Sequence, residues 1–339
     1  MLLIGGVNFM VFGGFSMVEV LVKGIIMIMV LMGCAAYMTL LERVLMARMQ
    51  LRIGPNRVGP LGLLQPIADG LKLLSKERFQ PSGVDTFTYW LAPSISMFLA
   101  LFTFVLIPIG GTVLIGGKQV NLWIADINAG LIFLLALSSL AVYGVVLAGW
   151  SSNNRYSLLG GLRGTAQMIS YEVPMGLALL TIVLQAGTLS LPEIVEAQRS
   201  HWFVWTNPIA FIIYVITSFA ETNRAPFDLP EAEQELTAGY HTEYGGMKFA
   251  MFFLAEYVNI LAVSSIAVTL FLGGWLGPGD IPVVWFLVKV AIFVFFFMWV
   301  RATLPRFRYN QLMSFGWKVL VPIATINLIV TAYFTLVVK

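Results

Sequence analysis

Residues 219–244 read FAETNRAPFDLPEAEQELTAGYHTEY, and the placement of this stretch decides how the rest of the chain is read. It holds six carboxylates, Glu221, Asp228, Glu231, Glu233, Glu235 and Glu243, against Arg224 alone among lysines and arginines, in a chain with only 17 acidic residues. Strongly apolar segments flank it on both sides. An acidic stretch so placed reads as a loop held against a membrane.

Composition agrees. The chain is 59% hydrophobic and 11% charged, with a mean hydropathy of +0.87, whereas soluble domains carry about 25% charged residues. The net charge of +3 is concentrated in particular loops, which suits membrane orientation better than nucleic-acid binding. No basic patch interleaved with aromatics is present. The lone Cys34 excludes a disulfide, a zinc knuckle or a cysteine-ligated iron-sulfur cluster within the chain. His201 and His241 lie in separate loops with no partner at ligand spacing, so no metal site is expected. The N-terminus lacks a basic region and an A-x-A-like cleavage site, so the first apolar segment is expected to be retained.

Working outward from the acidic stretch, eight apolar segments approach the roughly 20 residues that cross a hydrocarbon core as helix. They are 15–44, 93–114, 127–150, 166–186, 208–220, 247–272, 283–300 and 319–337. The fifth is short and is expected to continue through Glu221 and Thr222. The expected fold class is therefore all-α and polytopic, a single integral membrane domain with inner loops 49–92, 151–165, 221–246 and 301–318. The connections after the odd-numbered spans carry Arg48, Arg52, Arg57, Lys72, Lys76, Arg78, Arg155, Arg163, Arg224, Arg301, Arg306, Arg308 and Lys318. The other side has Lys118, Arg199 and Lys339. By the positive-inside rule the odd connections face inward and both termini outward.

In the first connection, Gly54-Pro55 and Gly59-Pro60 signal turns, and Leu63, Leu64, Ile67, Leu71 and Leu74 follow at helical spacing. Asp69, Lys72 and Lys76 fall mostly off that stripe. An amphipathic helix lying in the interface and a helix packed under a neighbouring protein both fit.

Glu172 lies nine residues past Arg163, roughly 13 Å along a helix, and Glu256 lies nine past Met247 from the same side. A charge near the bilayer centre costs about 2.5–3.5 kcal/mol on insertion scales, so both should face protein or water. Each is either a structural hydrogen-bonding group or a proton carrier. Within the acidic stretch, Pro230 suits the first position of a helix holding Glu231, Glu233 and Glu235, and helix capping accounts for part of the charge. Glu231 and Glu235 would then repel at four-residue spacing, which capping does not require and a proton relay would use. Glu19 and Lys23 are spaced for a local ion pair. Lys289 lies mid-span, to pair with a carboxylate or line a polar path. No dinucleotide fingerprint, P-loop or nucleophile elbow occurs, so no covalent or redox chemistry is expected of this chain alone.

Four blocks carry a family resemblance: LERVLMARMQLRIGPNRVGPLGLLQPIADGLKLLSKE, GLRGTAQMISYEVP, FAETNRAPFDLPEAEQELTAGYHTEYGGMKFAMFFLAEYVN and RATLPRFRYNQLMSFGWK. They resemble the H subunit of bacterial NADH-quinone oxidoreductase, the counterpart of mitochondrial NADH dehydrogenase subunit 1 in respiratory complex I. The resemblance implies a membrane subunit at the junction with the peripheral electron-transfer arm, where quinone enters from the membrane. It implies Arg43, Arg52 and Asp69 as quinone-tunnel residues, with Arg301 and Arg306 nearer the arm. It implies a proton relay of Glu172, Glu221, Asp228, Glu231, Glu233, Glu235 and Glu256, with Tyr257 beside the last. Quinone is the implied substrate, bound at an interface. Iron-sulfur clusters and FMN belong to partner subunits of the arm, and small membrane-arm subunits and lipid are further partners. The implied location is a bacterial inner (plasma) membrane rather than a mitochondrial one. Asn310 stands where many relatives are expected to carry Asp, which removes that position as a proton carrier. The equivalent subunit of an energy-converting hydrogenase, a stand-alone proton-linked transporter and a structural anchor for the arm are the competing readings.

Overall fold

A computed structural model describes residues 17–77, 79–115, 118–231, 233–279 and 281–338. Phe15, Arg78 and Lys339 lie outside these, as does the side chain of Lys118. The protein is a multi-pass bundle of apolar helices. Seven helices among the described residues are long and apolar enough to cross a membrane.

Helix α1 (Met17–Met49) leads through a turn to the short amphipathic α2 (Gln65–Ser75) and then to α3 (Thr86–Thr103). The expected second span ran to Leu114, but the helix stops at Thr103. Pro108, Gly110 and Gly111 break it, and the β-branched Thr112 and Val113 begin a hairpin of β1 (Thr112–Ile115) and β2 (Lys118–Asn121), with Thr112 opposite Asn121. Helix α4 (Gly130–Ser151) is followed by α5 (Arg155–Ala186), started by Asn154, whose side chain accepts from the Tyr156 amide at 2.9 Å. The expected inner loop 151–165 is thus mostly the first three turns of α5. Its Gly160-Gly161 let neighbouring backbone lie directly on the helix, and Gly164 admits the Pro230 ring, as small residues do in membrane bundles.

Short helices α6 (Leu191–Ala197) and α7 (Phe203–Thr206) lead into α8 (Pro208–Glu221). At 14 residues, α8 is about 21 Å long, shorter than the roughly 30 Å core, so the fifth expected span is an apolar helix but not a full-length one. One turn of helix, α9 (Glu233–Leu236), lies in the acidic stretch. Helices α10 (Gly246–Phe271) and α11 (Pro282–Thr303) follow. The last span runs from α12 (Tyr309–Phe315) through a π turn (Gly316–Leu320) into α13 (Val321–Val338), about ten residues earlier than its apolar run suggests.

The helix ends sort into two layers. At one, hereafter the basic end, the loops after α1, α4, α8 and α11 meet: Tyr89 Oη donates to the Glu243 carbonyl at 2.7 Å and the Phe307 amide to the Pro226 carbonyl at 3.2 Å. At the opposite end, Lys23 pairs with Glu19 at 2.7 Å, as its spacing predicts, and donates to the Asn121 carbonyl at 2.8 Å. There too Lys289, 8% exposed, donates to the carbonyls of Leu272, Gly274 and Leu276 at 2.6, 3.0 and 2.6 Å and sits 4.5 Å from the Trp202 ring. It closes the C-terminal end of α10, a favourable place for a cation. Among the described residues the larger of two apolar clusters runs between the layers, through Ala35, Leu179, Tyr214, Val258 and Phe293, and the smaller gathers Tyr89, Val145 and Phe252.

Candidate functional site

The acidic stretch folds inward because three positions fix it to α5. Gln167, fully buried, donates its amide to the carbonyls of Ala220 at 2.8 Å and Phe227 at 2.7 Å. A Cβ at Gly160 would stand 2.7 Å from the Gly239 Cα and the Tyr240 nitrogen, so only glycine admits that loop backbone. Gly239, at φ +57°, lies so close to Pro230 that a side chain would overlap its carbonyl.

That carbonyl accepts from the Tyr240 amide at 3.3 Å, which draws Pro230 out of helical geometry. The expected helix from Pro230 is therefore absent; α9 starts at Glu233, and Glu231 and Glu235 part company. Glu231 turns inward, 3.9 Å from His241 Nε2, whereas Glu235, half-exposed, meets Arg163 at 2.7 Å. Asp228 is half-buried in the same loop. The Glu233 side chain lies outside the described residues.

Beside this loop sits an ionic cluster. Arg224, 5% exposed, pairs with Glu42 Oε1 at 3.3 Å and with Glu256. Glu42 also pairs with Arg301 and accepts from Tyr257 Oη at 2.8 Å. The Arg224 guanidinium packs 4.5 Å from the Tyr257 ring centre, and its buried Nη2 has no hydrogen-bond partner among the described residues. Burial lowers the proton affinity of Arg224, but the facing Glu256, Tyr257 and Glu231 outweigh it and hold its pKa above the usual arginine value. Tyr240 is pushed well above the phenol range by burial and then by Glu231, Glu256 and Asp228, so it stays a hydroxyl donor.

Small cavities link the carboxylates. One of about 10 Å³ is lined by Glu42, Arg224 and Arg301. One of about 40 Å³ is shared by Glu221, Glu231, Tyr240, Glu256 and Asn259. A third, also about 40 Å³, continues from Asn259 and Glu221 past Ser138 and Tyr214, and a fourth, of about 10 Å³, joins Glu221 to Glu172. Glu172 accepts a hydrogen bond from Ser139. A water needs about 10–15 Å³ measured this way, so the larger two have room for water between polar groups.

Of the expected quinone-tunnel residues, Arg43 and Asp69 meet at 2.7 Å between α1 and α2. The other face of α2 leaves Ile67, Leu71 and Leu74 55–62% exposed. Arg52 is exposed, and Arg306 is half-buried, with Nε and Nη2 lacking hydrogen-bond partners among the described residues. Arg301 pairs with Glu42.

Glu42, Arg224, Gln167, Asn259, Ser138 and Ser139 are the residues that sequence reasoning missed as parts of the site. A signal existed for one of them. Leu31, Ala35 and Met38 mark the buried face of α1, and the next position at that spacing is Glu42.

A family model described as NADH dehydrogenase matches residues 22–332. The chain belongs to the NADH dehydrogenase family. Relatives agree with this placement. The chain is 78% identical to the H subunit of NADH-quinone oxidoreductase from Protochlamydia amoebophila, over 89% of this chain and 93% of that one. It is 54% identical to the H subunit numbered 2 of Geobacter sulfurreducens, over 90% and 92% of the two chains. To the H subunit numbered 1 of Geobacter metallireducens the identity is 53%, over 92% and 95%. As an NADH dehydrogenase family member, the chain is a membrane subunit of an oxidoreductase complex.

Proposed function

We propose that this subunit couples quinone reduction to proton translocation. Quinone, the substrate that the relatives' names carry, would approach along α1 and α2, past Arg43, Arg52 and Asp69, toward Arg301 and Arg306. The chain acts as one membrane unit in a bacterial inner membrane, its basic end inward beside the peripheral arm that carries the iron-sulfur clusters and FMN, its other end and both termini outward.

The observation that carries this reading is the unbroken order of polar contact and cavity: Arg301 to Glu42, Glu42 to Arg224, Arg224 to Glu256, then through shared cavities to Glu221 and Glu172. A change of charge near Arg301 redistributes the pairing of Glu42 and Arg224, which releases or captures a proton at Glu256. Glu231 and Asp228 border that step, Tyr257 and Tyr240 supply hydroxyl donors, and Glu235 lies toward the surface. A pure anchor would need none of these buried carboxylates.

The test is a density map of the assembled complex at a resolution that shows water. Ordered water linking Glu256, Glu221 and Glu172 is expected; dry, separate cavities would remove the relay.

A further inference from the structure

A groove of about 500 Å³ opens at the end of the bundle opposite the basic loops, lined by Gln185 of α5, Thr206 and Asn207 at the junction of α7 and α8, and Asn327, Thr331 and Phe334 of α13. It exists because α8 is short. Starting at Pro208, about 21 Å from its far end, it leaves a notch beside the longer α5 and α13.

The polar wall of the notch is organised. Asn207 donates to Gln185 Oε1 at 2.6 Å and accepts from Thr331 Oγ1 at 3.0 Å, and Thr206 donates to the same Gln185 oxygen at 3.1 Å. These contacts use both ends of the Asn207 amide and the Gln185 carbonyl. Asn327, one turn below Thr331, is 8% exposed, lines the groove, and has no hydrogen-bond partner for Nδ2 among the described residues. A buried amide without an acceptor is strongly disfavoured in a hydrocarbon setting, so an acceptor from outside the chain belongs there.

We propose that the groove is a binding site for a membrane glycerolipid, whose ester carbonyl accepts from Asn327 Nδ2 and whose acyl chains lie over the apolar rim. Among the described residues no Lys, Arg, Asp or Glu lines the groove, which suits a neutral ester rather than a phosphate or a charged headgroup. Ile209, Val330 and Phe334 on the rim are 46–58% exposed, and Trp205 beside it is 79% exposed, as an interfacial indole is. The volume is that of a small-molecule site, tight for a helix 10–12 Å across.

The assembled complex, in nanodiscs of phosphatidylethanolamine and phosphatidylglycerol, is exposed to a phosphatidylethanolamine carrying a photoactivatable group beside its ester. Labelling of peptides from 321–338 is expected, with at least a fivefold loss in Asn327→Leu and in Val330→Trp, which fills the groove mouth and keeps the amide. The Val330→Trp arm decides the case should Asn327→Leu fail to assemble. Unchanged labelling in Val330→Trp, or in an assembled Asn327→Leu, overturns the site. So does displacement of the label by added quinone, or density in the groove continuous with a helix of another subunit.

Discussion

Glu42 and Arg224 meet at 3.3 Å although 182 residues separate them in sequence, and both are about 5% exposed. The pair joins the first long helix to the acidic stretch and makes Glu42 the hinge between Arg301 and Glu256. Removing one partner of a buried pair leaves an uncompensated charge, which costs about 3–5 kcal/mol. Glu42→Ala should therefore lower the yield or melting temperature of the assembled complex, while Glu256→Gln, which keeps a hydrogen-bonding group beside Arg224, should lower it less. Thermal unfolding of the two purified variants checks the order.

Packing at Gly160 gives a second test. An added methyl there meets loop backbone at 2.7 Å, whereas at Gly176, on the same helix, it meets nothing within 4 Å. Gly160→Ala should cost about 1–3 kcal/mol through overpacking and loosen residues 222–245 to limited proteolysis. Gly176→Ala should behave as wild type in both respects.

The acidic residues should not act alike. Glu235 is 54% exposed and paired with Arg163 at the surface, where such a pair contributes about 0.2–1 kcal/mol at most. Glu235→Gln should leave stability almost unchanged and quinone reductase turnover close to wild type. Glu231→Gln, next to the Glu256 cavity, should reduce turnover several-fold, measured as NADH-driven quinone reduction in membranes.

Lys289 separates a structural charge from a transported one. It binds three carbonyls at the end of α10 and forms no ion pair among the described residues. Lys289→Met should destabilise the subunit by on the order of 2–3 kcal/mol, the worth of a hydrogen bond to a charged group. Complexes that do assemble should keep their protons pumped per electron.

Much of the architecture was legible because hydropathy and turn chemistry are local: seven of the eight expected spans are long helices, and the amphipathic α2 and the Glu19–Lys23 pair follow from spacing. The misreadings are tertiary. The hairpin at 112–121 was absorbed into an apolar run, since strand and helix share β-branched residues over short stretches. Pro230 suited a helix start until the Tyr240 amide claimed its carbonyl. Glu42 stayed hidden behind Arg43, because adjacent helix positions point in different directions and its partners lie on other helices.

The central claim is that Glu256 and Glu172 carry protons between the quinone site and the rest of the membrane arm. The direct measurement is the number of protons pumped per electron by Glu256→Gln and Glu172→Gln complexes in proteoliposomes, alongside electron transfer from NADH to a quinone. Both variants should assemble and lose most quinone-linked pumping. Wild-type pumping in both would contradict the account.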